Sequence, residues 1–447
     1  MSWRQIVSYG VGDFAFCLSF QLCSLYLLYY YTDIVGLPAS TAGMIIMVAL
    51  VWEGVSDPLV GVIANRTRSR WGRYRPYILF GTIPLTLSVI AMFYPVALTG
   101  SWLVAYCFAT HIIYRTLFTF VQVPFVSLSA QITRDSEVRG QIAGVRMMFA
   151  ILCGLLIAAV TLPFAGLLGG GREGFFVVTL IYAGIAAIIL FFCFATTREP
   201  GELETGPAVS LAEMLRSLAG NRPFLMLLVA TIVGATGYTM AGKALVYYMK
   251  YWVGSEAAVT LGLVLLLTSA ALALIPWMMI SRRTSKRFVW LAGVGVNMCA
   301  YALLLLFAPR EGAALWLLII LTGIGNSAFV LTFWSMLPDT VELGEWQSRV
   351  RSEGAVVGMI SFAQKVAFGL GTGMIGIFLD LSGYVANVPQ SDAALRSIVL
   401  LYAAGPLLLF AASAIAIWAY PIDHRLHSRL VRGLEWRHRR RGAPDVS

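Results

Sequence analysis

Charged residues are scarce in this chain. Asp, Glu, Lys and Arg together account for 12% of its 447 residues, while hydrophobic residues account for 59%. A soluble globular domain carries about 25% charged residues. The composition therefore excludes a globular enzyme held by a single anchor and predicts a protein that crosses a membrane many times.

The sequence also lacks the usual motifs of catalytic sites. It contains no phosphate-binding loop, no zinc-type spacing of His and Cys, and no recognisable Ser/His/Asp grouping. All six cysteines fall inside apolar runs, which favours packing roles over a disulfide framework or a metal site. We therefore expect neither enzymatic activity nor a cofactor.

Long apolar runs are the main feature that the sequence does contain. A helix that crosses a bilayer needs about 20 mostly apolar residues. Such runs occur at residues 10–32, 40–64, 77–98, 101–128, 141–166, 174–196, 223–252, 257–280, 287–308, 313–338, 353–381 and 395–420. They predict an all-α integral membrane protein with twelve transmembrane helices, numbered below as spans 1 to 12.

A polar stretch divides these spans into six and six. We predict an N-terminal six-helix bundle over residues 1–196, a cytoplasmic linker over 197–222, a C-terminal six-helix bundle over 223–420 and a basic cytoplasmic tail over 421–447. This layout resembles the major facilitator fold, in which two halves surround a central cavity.

Basic residues cluster on one side of the predicted membrane. Residues 66–75, 281–287 and 438–441 are rich in Arg and Lys, whereas the odd-numbered loops carry at most a lone arginine such as Arg172. Short basic loops stay in the cytoplasm. We therefore predict a multi-pass protein of the cytoplasmic (inner) membrane with both termini cytoplasmic, and we do not interpret the positive charge as nucleic-acid binding.

Two acidic residues lie in the middle of span 2. Glu53 and Asp57 are one helical turn apart and share a face, with Ser56 between them. An ionised acid at bilayer depth costs about 2.5–3.5 kcal/mol on insertion scales. Two interpretations are open: a site for a small cation or a proton, or a buried ion pair with a basic residue of another helix.

Span 4 carries a polar stripe at helical spacing. Its members are His111, Arg115, Thr119 and Gln122. Arg115 is interpreted either as a substrate ligand or as the neutralising partner of a span 2 acid. His111 is interpreted as a packed, hydrogen-bonded histidine or as a proton relay.

Further charged residues lie inside other spans. Arg146 is in span 5, Lys243 and Lys250 are in span 7, and Lys365 is in span 11. Lys250 is near a span end, so we expect its ammonium group to extend to the membrane surface. Lys365 is interpreted either as a partner of a span 2 acid or as a group that links cation binding to substrate binding.

Several motifs resemble one transporter family. Residues 9–13, 28–36, 52–58 and 67–73 resemble conserved segments of the glycoside–pentoside–hexuronide:cation symporters. Further matches fall at residues 123–128, 161–164 and 339–353, so the resemblance covers nearly the whole chain.

The resemblance implies a cation site. In that family two acids of span 2 contribute to cation binding, and they match Glu53 and Asp57. Ser56 takes the place of an asparagine, and Thr119 matches a threonine next to the cation. If coupling uses sodium, Glu53 and Asp57 are the expected metal ligands.

The sugar site departs from the family pattern. Cys17 and Gln122 replace two sugar-binding aspartates, and Arg115 replaces a small residue. The loss of negative charge argues against a galactoside and favours another sugar, for example an anionic uronide or sulfated sugar. The substrate-binding residues that we expect are Cys17, Gln21, Arg115, Gln122, Arg146 and Lys365.

The resemblance implies cation-coupled symport of a sugar by alternating access, with Na⁺ or H⁺ as coupling ion. We expect a monomer whose partners are a small sugar and the lipid bilayer. The predicted cytoplasmic gate comprises Arg70, Arg73, Asp339, Glu342, Glu345 and Arg351. The alternative is a facilitator-type carrier for a non-sugar anion such as a lysolipid or an organic anion.

Overall fold

The computed structural model describes residues 3–132, 136–199, 218–348, 353–421, 429–430 and 432–433. Within these ranges the chain is almost entirely helical and contains no β-strand. The predicted fold class is therefore confirmed.

Six long helices precede the linker. They are α1 (Trp3–Tyr29), α2 (Ala39–Arg66), α3 (Arg75–Phe93), α4 (Gly100–Ile132), α5 (Ser136–Leu167) and α6 (Gly171–Thr196). The last turns of the first span, Tyr30–Ile34, continue α1 as a π-helix. A π-helical turn is rare and is often found at a functional site.

The second half repeats this organisation. Its helices are α7 (Arg222–Tyr247), α8 (Glu256–Arg283), α9 (Lys286–Phe307), α10 (Ala313–Ser348), α11 (Glu353–Leu381), α12 (Asp392–Tyr402) and α13 (Ala404–Trp418). A second π-helix, Tyr248–Val253, extends α7 just as the first extends α1.

These helices supply twelve candidate membrane spans among the described residues, as the apolar runs predict. The last span, Asp392–Trp418, comprises both α12 and α13. Its break at Ala403 lies three residues before Pro406. Proline has no N–H and its ring clashes with the carbonyl four residues earlier, so the helix cannot run straight through this point.

The chain forms two compact units that do not follow the order of the sequence. The first unit comprises Met1–Glu204, Thr239–Leu267 and Phe368–Tyr402, and the second comprises Thr205–Tyr238, Thr268–Ala367 and Ala403–Ser447. The predicted domain boundaries stay a prediction. The first unit thus joins the six N-terminal spans to the ends of α7 and α11, to the start of α8 and to the whole of α12.

Helix packing in the first unit determines which side chains meet. There α2 packs against α4, α1 packs against α5 and α6, and α3 packs against α4 and α6. Small residues bring α2 and α11 close together: a Cβ atom on Gly376 would lie 2.3 Å from the carbonyl oxygen of Ala39. Close backbone approach through glycine is characteristic of membrane helix pairs.

In the second unit, α9 packs against α10 and α13. The core between them is aromatic: Trp290 of α9 and Phe410 of α13 both contact Phe329 of α10. Buried amide groups add a polar contact between α9 and α10, where Asn297 donates to Asn326 at 3.0 Å.

Candidate functional site

The contact between α2 and α4 places Glu53 beside Arg115. An Nη1 hydrogen of Arg115 is donated to Oε2 of Glu53 at 2.8 Å, and the side chains are 3% and 2% exposed. Both were predicted to be functional from their depth in the membrane. Of the two interpretations of Arg115, the geometry places it against the span 2 acid; its contact with substrate stays a prediction.

His111 lies one turn before Arg115 and is fully buried. Nε of Arg115 donates to its Nε2 at 3.1 Å, so Nε2 is an acceptor and the proton of a neutral ring is on Nδ1. Within the described part of the chain, this Nδ1 group has no hydrogen-bond partner. The ring therefore offers an unused donor in a buried position.

The other predicted cation ligands lie along the same helix contact. Thr119 donates to Oδ1 of Asp57 at 2.9 Å, and Ser56 donates to Thr119 at 3.4 Å and to the carbonyl of Glu53 at 3.0 Å. Pro58 follows directly and cannot donate to the carbonyl of Gly54, which weakens the helix ladder here. Carboxylate and hydroxyl oxygens suit a hard cation or a proton.

The predicted substrate ligands on α1, α4 and α5 occupy different environments. Arg146 binds Asp13 with two hydrogen bonds, of which the Nη2 to Oδ1 bond is 3.2 Å. The Arg146 guanidinium also lies 5.6 Å from the ring centre of Phe125. Cys17, Gln21 and Gln122 are partly exposed on their helices.

Lys243 of α7 also lies in this region, although it is not among the predicted site residues. Its Nζ donates to the carbonyl oxygen of Ser24 on α1 at 2.6 Å, and the residue is 7% exposed. The sequence feature that could have identified Lys243 is its charge in the middle of an apolar run.

A second polar cluster forms where α1 and α7 continue as π-helices. We call it the distal cluster; it comprises Thr32, Asp33, Tyr247, Lys250, Tyr251, Tyr384 and Asn387. Oδ1 of Asp33 lies 2.9 Å from Nζ of Lys250, and Oδ2 accepts from Tyr384 at 2.8 Å and from Thr32 at 2.7 Å. Tyr251 is a further donor to this carboxylate.

The distal cluster changes the interpretation of Lys250. Its side chain is 10% exposed, and its ammonium group lies between the buried Asp33 at 2.9 Å and the exposed Glu256 at 3.3 Å. Tyr384 lies just beyond the end of α11, where burial, and after it the charge of Asp33, raises the pKa of its hydroxyl. The hydroxyl therefore stays protonated and remains a donor.

Comparison with known proteins identifies the family. Residues 8–424 match the family described as MFS/sugar transport protein. The chain belongs to this family. It is therefore a transporter of the major facilitator superfamily and a multi-pass membrane protein.

Relatives agree with this assignment. The transporter is 30% identical to the isoprimeverose transporter of Lactiplantibacillus pentosus, over 99% of this chain and 93% of that protein. It is 27% identical to the glucuronide carrier protein homolog of Escherichia coli (strain K12), over 96% and 95%. The crystal structure of the nucleoside transporter NupG superposes with a TM-score of 0.69 at 12% identity, over 94% of this chain and all of that chain (100%), which supports the fold.

The predicted gate residues of this MFS transporter lie in both units. In the first, the backbone N–H groups of Arg73 and Tyr74 donate to the carboxylate of Glu199, the latter at 2.9 Å. Arg70 stacks 4.0 Å from the ring centre of Trp71. The loop after α2 is therefore attached to the segment after α6 through Glu199.

In the second unit, Lys286 binds both oxygens of Asp339, at 2.7 and 2.9 Å. Glu342 and Glu345 lie further along α10, and Lys365 is half-buried on α11. Arg351 lies outside the described residues. The role of these residues as a gate, and the pairing of Lys365 with a span 2 acid, stay predictions.

Proposed function

We propose that this MFS transporter couples the entry of one cation, Na⁺ or H⁺, to the uptake of a sugar. The observation that carries the proposal is the group formed by the half-buried Asp57 with the buried Thr119 and Ser56, beside a Glu53 whose charge Arg115 balances. Relatives named for isoprimeverose and for glucuronide support a sugar as substrate.

Coupling follows from the charge at Asp57. An ion or proton that binds there cancels the carboxylate charge, and the neutral site then tolerates the rocking of the two halves that exposes it to the other side. One charge that moves down 100 mV supplies about 2.3 kcal/mol. At about 1.4 kcal/mol per tenfold, this energy sustains roughly 40- to 50-fold accumulation of substrate.

The direction of transport rests on the orientation of the chain. The basic loops after the even-numbered spans put both termini in the cytoplasm of a cell with an inner membrane. Sugar then enters from the side that carries the 1–2 loop. The sugar contacts that we propose are made by Cys17, Gln21, Gln122 and Arg146 on α1, α4 and α5, in a monomer.

Counterflow of radiolabelled sugars in proteoliposomes, with and without sodium and across a pH series, tests this function. Asp57→Asn is expected to abolish uphill accumulation and to spare exchange at equal concentrations, because the amide cannot gain or lose a charge. Asp392→Asn, which alters an exposed acid at the start of α12, is the matched control and should accumulate substrate normally. Uphill accumulation by Asp57→Asn would show that another group carries the coupling.

A second candidate function is facilitated transport of a non-sugar anion such as a lysolipid or an organic anion. Lys243 favours it, since this buried cation has no carboxylate within 4.0 Å among the described residues. Exchange of an amphiphilic anion, combined with failure of neutral and acidic sugars to exchange, would establish this function instead of sugar symport.

A further inference from the structure

Asp33 joins three segments that lie far apart in the sequence. Its carboxylate, in the last turns of span 1, lies 2.9 Å from Nζ of Lys250 and accepts a hydrogen bond from Tyr251, and both partners belong to the π-helix that extends α7. Tyr384, just beyond the end of α11, donates to the other carboxylate oxygen at 2.8 Å. One side chain from the first half of the sequence is thus held by groups from two helices of the second half.

Contacts around this carboxylate join the same helix ends. Nδ2 of Asn387, in the connection after α11, donates to the backbone carbonyl oxygen of Asp33 at 2.5 Å. On the neighbouring helix pair, Ser40 at the start of α2 donates to Asp380 at the end of α11. All of these residues belong to the first unit. The ends of α1 and α2 are therefore attached to the ends of α7 and α11.

These contacts lie on one side of the membrane. They involve the connections that follow spans 1, 7 and 11. In the orientation that we propose, odd-numbered connections face the outside of the cell. A transporter that works by alternating access has to open its central site to this side in each cycle. Helix ends that are joined here have to separate during that step.

The ion pair at the centre of these contacts is suited to forming and breaking. The side chains of Asp33 and Lys250 are 0% and 10% exposed, so their attraction acts across a poorly hydrated region. When the helix ends separate, both charges meet the water outside, and their hydration compensates part of the lost attraction. Both residues also lie in π-helical segments, which are rare and often found at functional sites.

We propose that Asp33 is the central residue of an outer gate. Its bonds to Lys250, Tyr251 and Tyr384 keep the ends of α1, α7 and α11 together while the site is closed to the outside, and they break when it opens to that side. The inference rests on transport by alternating access in the proposed orientation. It does not depend on the identity of the substrate or of the coupling ion.

The test measures how fast the native Cys17 is modified from the outside. This residue is half-buried on α1 and is one of the proposed sugar contacts, so a reagent outside has to pass the gate to reach it. The full-length protein in right-side-out membrane vesicles is treated with a membrane-impermeant maleimide, and mass spectrometry identifies the modified cysteines. In the wild type we expect Cys17 to react more slowly there than in inside-out vesicles.

Asp33→Asn is expected to raise the outside labelling rate of Cys17 about tenfold or more, because hydrogen bonds to a charged group no longer favour the closed gate. Lys250→Gln removes the partner of Asp33 and should raise the rate by a similar factor, and Tyr384→Phe should raise it less. Glu256→Gln is the matched control. This acid contacts the same lysine but is 70% exposed, so the rate should stay within about twofold of the wild type.

A second cysteine distinguishes an opened gate from a loosened fold. Cys193 of α6 is fully buried, and opening of the gate should leave it unmodified in every variant. An equal rise in labelling of Cys17 and Cys193 would overturn the inference and assign Asp33 a structural role.

Two other results would also overturn the inference. The first is equal labelling of wild-type Cys17 from the two sides, a measurement that needs no variant. The second is an unchanged outside labelling rate in both Asp33→Asn and Lys250→Gln. Labelling requires no substrate, so a failure of sugar uptake would contradict the proposed function and leave the gate supported.

Discussion

Lys243 and Lys250 occupy the same span two helical turns apart, and their surroundings are opposite in kind. Lys250 meets the carboxylate of Asp33 at 2.9 Å and contacts Glu256 at 3.3 Å. Lys243 is buried, and among the described residues its ammonium group binds the carbonyl of Ser24 and no carboxylate. A lysine whose counter-charge belongs to the protein can act as a structural link, whereas one without it is suited to a ligand that brings the charge.

In the distal cluster, the buried charges have partners within the protein. Asp33 accepts hydrogen bonds from Tyr384 and Thr32 in addition to its ion pair with Lys250. Its donors come from both halves of the sequence, so the cluster connects the end of α1 to the end of α7 within the first unit. Such a contact holds these helix ends together, and any transport cycle that separates them has to break it.

Among the substitutions that test this comparison, Asp33→Ala is expected to have the largest effect on stability. It leaves the ammonium group of Lys250 without its buried partner and should lower stability by about 3–5 kcal/mol. Thermal unfolding of the detergent-solubilised protein measures the loss. Glu256→Gln is the control, since this acid is 70% exposed and its contact with the same lysine contributes about 0–1 kcal/mol. If Asp33→Ala and Glu256→Gln lowered stability equally, burial of the acid would not determine how strongly its ion pair with Lys250 stabilises the protein.

Tyr384→Phe should have an intermediate effect. It removes one hydrogen bond to a charged acceptor, which stabilises by about 1.5–3 kcal/mol. Because the pKa of Tyr384 is raised in the folded protein, its contribution is fully present below the unfolded value of about 10 and declines only as the pH rises above that value. The difference from wild type should thus be constant between about pH 6 and 9. If the stability difference between wild type and Tyr384→Phe varied between about pH 6 and 9, a titrating group other than Tyr384 would control that difference.

Lys243→Met should have the smallest effect on stability. The substitution removes a buried amine that has no acid within 4.0 Å among the described residues, together with one hydrogen bond to Ser24. Replacement of a buried charge by an apolar side chain is often neutral or stabilising, so we expect a change below about 1 kcal/mol in the same unfolding measurement. A loss of stability as large as that of Asp33→Ala would indicate that Lys243 has a structural partner. Lys243 and Lys250 would then not differ in this respect.

Much of the fold could be predicted from the sequence because the bilayer imposes a simple rule. A span needs enough consecutive apolar residues, and its backbone must satisfy its own hydrogen bonds, so length and hydropathy suffice to find it. The same helical periodicity placed Glu53, Ser56 and Asp57 on one face. Their approach to Thr119 followed from the resemblance to a symporter family, not from spacing within the chain.

The pairing of charges was harder to predict. Several basic residues were possible partners for Glu53, and only the packing of α2 on α4 shows that Arg115 is the one in contact. Lys250 was expected at the membrane surface because it lies near a span end. Its contact with Asp33 was not predicted, since Asp33 lies in another span far away in the sequence. No pattern of neighbouring residues in the sequence indicates that Asp33 and Lys250 are in contact.

The sequence by itself determined that this protein crosses the membrane with twelve spans and carries acids in its second span, because hydropathy and helical periodicity are local properties of the chain. Only the tertiary structure decided which charges neutralise one another and which buried lysine has no acid beside it among the residues that the structure describes. That outcome depends on distances of a few ångströms between side chains of different helices, where Coulomb energies change steeply. It is the difference between Lys250 and Lys243, two residues that look alike in the sequence.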